Sequence, residues 1–120
     1  MIGAVFGQTS RLRYHLTPMD TFKVMAQLFD VEKIEFTERI DYLIDKFEIR
    51  ELIDTPVRKL SLGQRMRCEI VASLIHKPKI IFLDEPTIGL DIIEKQKLRE
   101  TINEINISEN TTIFLTSHDL

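Results

Sequence analysis

The chain has 120 residues, 16 Lys+Arg and 19 Asp+Glu, so its formal net charge is 16 − 19 = −3 with His neutral. Hydrophobic residues at 43% and charged residues at 29% sit at globular averages, which excludes a disordered tail and a collagen-like repeat. The acidic balance gives no support for a nucleic-acid binder, and one cysteine rules out an intramolecular disulfide and fits a reducing compartment.

Residues 2–6 are apolar and end in Gly7-Gln8, a strand running into a loop. The first nine residues lack the basic region and long apolar stretch of a signal peptide. Thr17-Pro18-Met19-Asp20 reads as a helix start, with Thr17 as cap, Pro18 at the first helical position and Asp20 at the positive end. That helix is expected to run to Phe29. A second is expected from Thr37, because Phe36, Ile40, Leu43, Ile44 and Phe47 fall at helical spacing. A short helical turn is placed at 50–53, before Pro56. Ser61 caps a third helix, with Met66, Ile70, Val71, Leu74 and Ile75 on one side, ending near His76-Lys77 because Pro78 resists continuation.

The texture changes after Pro78. Residues 80–83, Ile-Ile-Phe-Leu, form a short uniform apolar run, as a buried parallel strand requires. A turn at 86–89 leads to a helix over 92–106 with Leu98, Ile102 and Ile105 inward, then a strand over 111–116. The pattern predicts an α/β fold in which a helical insertion, residues 10–78, precedes a strand–helix–strand crossover. No apolar run reaches the roughly 20 residues of a membrane span. The chain is expected to start and stop inside structure, as part of something larger.

Four features carry chemistry. Residues 80–85 deliver two carboxylates, Asp84 and Glu85, at the C-terminal end of a strand, where open α/β sheets bind ligands. Adjacent carboxylates repel unless a cation or proton intervenes, and Mg²⁺ held through Asp84 supplies one. Glu85 is then placed to orient or deprotonate a water; the plainer alternative is an acidic turn after a strand. Leu60-Ser61-Leu62-Gly63-Gln64 precedes a helix and offers a hydroxyl, an unobstructed N–H and an amide where the dipole favours phosphate. Arg58, Lys59, Arg65 and Arg67 surround it, and residues 58–67 contain no acid. Alone, this segment reads better as an ordinary cap with a solvated basic face. His118 follows an apolar strand and Gln8 follows another; by itself each is an ordinary loop residue.

Together, in this order, these features resemble the nucleotide-binding domain of ABC transporters over nearly the whole chain. Gly7-Gln8 is similar to the Q-loop, residues 60–64 to the signature motif, residues 80–85 to Walker B, Gly89-Leu90-Asp91 to the D-loop and His118 to the switch histidine. The separations fit: 53 residues from Gln8 to Ser61, 20 from Gln64 to Asp84 and 33 from Glu85 to His118. The texture of 5–8 and 60–67 is most similar to prokaryotic ATPases of drug- or polysaccharide-export type.

The resemblance implies a partial P-loop NTPase fold of ABC type. In it, residues 1–9 form a core strand and Q-loop, 10–78 a helical subdomain and 79–120 the Walker B to switch-histidine core. It implies ATP and Mg²⁺ as ligands. Gln8 and Asp84 serve Mg²⁺, Glu85 is the general base and His118 steadies the γ-phosphate. Ser61, Gly63 and Gln64 reach ATP held by a second, head-to-tail nucleotide-binding domain, and Asp91 crosses that interface. Residues 10–78 meet a membrane-spanning partner subunit, which holds the protein on the cytoplasmic face. No nucleic-acid partner is expected. Rival readings are a soluble relative acting on ribosomes or DNA, and a non-catalytic interaction module.

Two departures stand out. Leu62 occupies a position where the usual signature has glycine, so altered packing is expected there. No Gly-x-x-x-x-Gly-Lys-Ser/Thr run occurs, so within these residues no phosphate-cradling nest or lysine exists, and the isolated chain is expected to be inactive. Cys68 is expected to be structural or partly exposed, and His15 and His76 solvated. Met19, Phe22 and Met25 belong either to the core or to a groove for the membrane subunit.

Overall fold

The computed structural model describes residues 2–5, 15–84 and 91–116, with the strand residues 2–5, 81–84 and 113–116 described by their backbone alone. Three parallel strands form one sheet: β1 (Ile2–Val5), β2 (Ile80–Asp84) and β3 (Thr112–Thr116), in the order β1-β2-β3. The uniformly apolar run takes the central place, as expected for a strand covered on both faces. Its register pairs Val5 with Leu83 and Asp84 with Thr116.

There are four α-helices, α1 (Pro18–Leu28), α2 (Lys33–Lys46), α3 (Leu62–Leu74) and α4 (Ile92–Glu109); α3 packs on β1 and α4 on β3, while α1 and α2 pack on α3. Thr17 and Asp20 close a reciprocal capping box on α1, with Pro18 in its first turn as the sequence suggested. α2 begins four residues before the expected Thr37. Its cap residue, Glu32, makes no side-chain bond to the helix, so the usual start signal is missing. Residues 50–54 form turns rather than a helix, and a 3₁₀ turn at Val57–Lys59 follows instead. Pro56 explains the delay: its fixed φ and missing N–H suit the entry to a turn, not a helix interior. α4 runs three residues past the expected 106 and stops where Asn110 turns left-handed at φ 53°.

The first two helices end on complete Schellman turns built without glycine. Val31 and Asp30 donate to Ala26 and Gln27 at 2.8 and 3.2 Å, and Ile49 and Glu48 to Ile44 and Asp45 at 3.0 and 3.2 Å. One apolar core joins the four helices. It contains Phe22 and Met25 of α1, Ile40, Leu43 and Ile44 of α2, Ile70, Val71 and Leu74 of α3, and Leu98, Ile102 and Ile105 of α4. Phe22 and Met25 are therefore core residues, and Met19 packs half-buried against them.

Candidate functional site

Because the three strands are parallel, their C-terminal ends share one edge of the sheet, marked by Val5, Asp84 and Thr116. Glu85 follows Asp84 directly, Gln8 lies three residues beyond Val5 and His118 two beyond Thr116. Gln8, Glu85, Gly89, Leu90 and His118 lie outside the described residues. Asp84 is placed by its backbone, as the last residue of the central strand.

The N-terminal end of α3 is fully described. Leu60 closes the 3₁₀ turn, its N–H donating to Val57 at 3.0 Å, and its half-buried side chain packs on the core. That anchor holds Ser61 in the extended conformation (φ −66°, ψ 166°) that a cap needs. The Gln64 N–H donates to Ser61 Oγ at 3.2 Å, and the Ser61 N–H donates to Gln64 Oε1 at 2.9 Å. Each side chain thus gives its acceptor to the helix. The hydroxyl proton of Ser61 and the amide NH₂ of Gln64 remain as donors, beside the Leu62 and Gly63 N–H groups that a first helical turn leaves without an intrahelical acceptor.

Charge reinforces this donor set. The first turn of α3 holds no acidic residue, whereas those of α1, α2 and α4 hold Asp20, Glu35 and Glu94. Arg58 and Lys59 are exposed just before the cap, and Arg65 and Arg67 are half-buried just after it. Uncompensated helix dipole and clustered cations favour an anion. Leu62 is 40% exposed, so the departure from glycine is met by a side chain directed at solvent. Gly63 is buried, so any contact it makes with an anion is through its N–H.

Asp91 is exposed and caps α4, its Oδ1 accepting from the Glu94 N–H at 2.8 Å. The two residues after it, Ile92 and Ile93, are 83% and 78% exposed. A cleft of about 270 Å³ lies where the starts of α3 and α4 meet the end of α2, lined by Gly63 and Arg67, by Ile93, Glu94 and Leu98, and by Lys46, Phe47 and Glu48. The structure therefore brings the signature-like turn close to the start of α4.

Among the residues given plain readings, Cys68 is fully buried, and burial pushes its thiol up to about 12, against a smaller opposing pull from Arg67. Such a thiol is inert at neutral pH. His15 is exposed. The expectation of a solvated His76 is corrected: its ring stacks on Phe29 with centroids 3.8 Å apart. Sequence reasoning missed Arg39, which is buried and bonded to the ends of two helices. Its one available signal was a cation on a helix between the buried-face positions Phe36 and Ile40.

Residues 2–88 match the family model described as ABC transporter. The chain is 34% identical over 117 residues to the ABC transporter ATP-binding protein NatA of Bacillus subtilis, covering 98% of this chain and 47% of that protein. It is 33% identical over 93 residues to the zinc uptake system ATP-binding protein ZurA of Listeria innocua, covering 78% of this chain and 36% of that one. Among solved structures, cbiO1 from Clostridium perfringens, part of the ABC transporter complex cbiONQ, superposes with a TM-score of 0.84 at 28% identity. That match covers 98% of this chain and 47% of cbiO1. The chain thus spans less than half the length of these relatives. The family match over residues 2–88, joined to the parallel sheet and the capped α3 turn, places the chain in the ABC transporter ATP-binding family, with a fold that is part of the ABC-type P-loop NTPase fold.

Proposed function

We propose that this chain is part of the ATP-hydrolysing subunit of an ABC transporter, and that the N-terminal turn of α3 receives the γ-phosphate of ATP held by a second copy. The observation that carries this is the neutral capping box. Ser61 and Gln64 satisfy the helix with their acceptors and keep their donors outward, in the one α-helix start among the described residues with no acid in its first turn.

In this reading the sheet's carboxyl edge does the chemistry. Asp84 ends the central strand there, and with Gln8 it offers the hard oxygen donors that Mg²⁺ takes alongside substrate phosphates. When bound, the ion neutralises charge on the phosphates. Glu85 takes the proton of the attacking water, and His118 donates a hydrogen bond to the γ-phosphate. Asp91 faces the second copy across the interface. Residues 10–78 contact a membrane-spanning subunit, which keeps the protein on the cytoplasmic face; no described helix is itself long and apolar enough to cross a membrane. Transport is in the export direction, supported by the texture of residues 60–67, while the zinc-uptake relative makes the direction a matter for a vesicle transport assay. The 120 residues alone contain no phosphate-binding loop and hydrolyse no ATP. Turnover by this chain alone, abolished by Glu85→Gln, would overturn that last point.

The test of the trans site mixes two full-length variants, Ser61→Arg and one lacking the phosphate-loop lysine. Each homodimer has two defective sites. A mixed dimer gathers both defects into one site and leaves the other whole, so turnover returns on mixing if Ser61 acts in trans. Loss of ATP binding by the Ser61→Arg monomer itself would refute the assignment.

A further inference from the structure

Arg39 is the only cation buried among the described residues, at 6% exposure. Its Nε and Nη2 donate to the carbonyl of Leu74 at 3.1 and 2.8 Å. Nη2 also donates to Glu109 Oε1 at 2.7 Å, and Nη1 to the other oxygen of that carboxylate. Leu74 is the last residue of α3 and Glu109 the last residue of α4. One guanidinium on α2 therefore fastens the C-terminal ends of two helices whose N-terminal ends carry Ser61–Gln64 and Asp91.

Those N-terminal ends border the cleft of about 270 Å³, with Gly63 and Arg67 on the α3 side, Ile93 and Glu94 on the α4 side and Lys46, Phe47 and Glu48 of the α2 end between them. Nearby, the partly exposed ion pairs Lys46–Glu104 and Glu48–Lys97 tie the end of α2 to α4, and pairs of that kind restrain little. The apolar core joins the two helices between their ends, the fork clamps their C-terminal ends, and the cleft lies at their N-terminal ends. α3 has 13 residues. At about 1.5 Å per residue it is about 20 Å long, so a tilt of about 3° at the pin moves the Ser61 end by about 1 Å.

We propose that Arg39 is a positioning residue of the ATPase: by pinning Leu74 to Glu109 it sets the separation between the α3 and α4 starts, and hence between Ser61 and Asp91. The inference rests on the roles given to those two starts above. A planar fork is needed because one group must serve a carbonyl and both oxygens of a carboxylate at once, which an ammonium cannot do.

The experiment uses the full-length protein and measures ATP turnover against ATP concentration, well below the unfolding midpoint of every variant. The central variant is the pair Arg39→Met with Glu109→Met, which removes the fork without stranding a buried charge. Arg39→Lys and Glu109→Gln are its graded companions. A displacement of about 1 Å at a reacting site costs up to about 100-fold, so the Met pair is expected to lose about 10- to 100-fold in kcat. ATP binding should stay within about twofold of wild type, because the pin touches no nucleotide group. Arg39→Lys and Glu109→Gln should fall between. Ile105→Val, a core change in α4, provides a comparison of lowered stability with the pin intact, and should turn over normally. Turnover of the folded Met pair within about twofold of wild type would overturn the inference. So would an equal loss in Ile105→Val, since that would make stability the cause. Ser61→Arg is assayed in parallel. If it turns over normally, the reading of the α3 start falls and takes the inference with it. If it is dead while the Met pair works, only the inference falls.

Discussion

At the N-terminal end of α3, Ser61 and Leu62 are exposed and Gln64 and Arg65 half-buried, whereas from Cys68 to Ile75 every residue is buried. One helix thus runs from a polar end with donors to spare into a segment enclosed on all sides. The difference separates two kinds of sequence information. In the buried half the apolar side chains are chosen by volume, because close-packed interiors register a single methylene, with Glu69 and Ser73 as the buried polar exceptions. At the polar end the side chains are chosen for the hydrogen-bonding atoms they leave over. Substitutions in the first region should therefore change stability and leave chemistry alone, and those in the second should do the reverse.

The largest effect should come from the enclosed half. Ile70 is 2% exposed, and Ile70→Ala should destabilise by roughly 2–5 kcal/mol, the loss of transfer energy plus the cavity left behind. Denaturant unfolding would measure it. In the full-length protein, turnover per folded molecule should be unchanged at low temperature, so a collapse of kcat without unfolding would break the division between the two halves.

Next comes the polar end. Gln64→Glu keeps the capping box, since a carboxylate still accepts the Ser61 N–H. It also places an acid in the first turn of α3, as α1, α2 and α4 already have. The helix should be as stable or slightly more so, because the charge opposes the dipole. Turnover of the full-length protein should fall by about 10²–10³-fold, the cost of losing one preorganised donor at developing charge. Normal turnover in Gln64→Glu would show that the donors at this turn face no phosphate.

Much of this contrast was legible from the sequence. Ser61 three residues before Gln64 has the residue types of a capping box, and the 80–83 run announced a buried parallel strand. The starts of α2 and the 3₁₀ turn were not legible. Glu32 caps without a side-chain bond, and the turn at Val57–Lys59 is fixed by tertiary packing of Val57, which is fully buried. Arg39 was hidden for a related reason. Its partners lie 35 and 70 residues away, and no local pattern encodes a contact over such distances. For the candidate site, motif order named the candidates, of which Gln8, Glu85 and His118 lie outside the described residues, while the donor arrangement at α3 required the observed bonds.

A smaller effect tests the enclosed half by pH. The Cys68 thiol has an ordinary value of 9.0 and is pushed up to about 12, chiefly by burial. The folded state therefore holds its proton more tightly than the unfolded chain. Stability from this group is fully present below pH 9 and is lost as pH rises toward 12, at no more than about 1.4 kcal/mol per unit. Other groups titrate in the same window, so the observable is the difference between wild type and Cys68→Ala. The variant should be less stable at neutral pH, and its deficit should shrink above pH 9. A constant deficit would mean that solvent reaches Cys68 and that the enclosed half is less closed than its burial indicates.

The smallest effect compares two caps of one design. Thr17 and Ser61 each accept an N–H from the third residue of their helix, at 3.3 and 3.2 Å, and each donates its own N–H to that residue's side-chain oxygen in return. Truncating either to alanine removes one acceptor for an orphan N–H, and each should cost about 1 kcal/mol. Stability alone does not tell the two caps apart. Their closing residues do, because Asp20 neutralises the start of α1 whereas Gln64 leaves the start of α3 positive. In the full-length protein Thr17→Ala should keep normal turnover, and Ser61→Ala should lower it, since under the proposed function only the second removes a donor to the phosphate. Measured together, the two variants hold the structural cost fixed and vary the chemistry. Equal activities at equal stability would reduce the Ser61 turn to a helix cap, and a drop confined to Ser61→Ala would assign that hydroxyl to the phosphate.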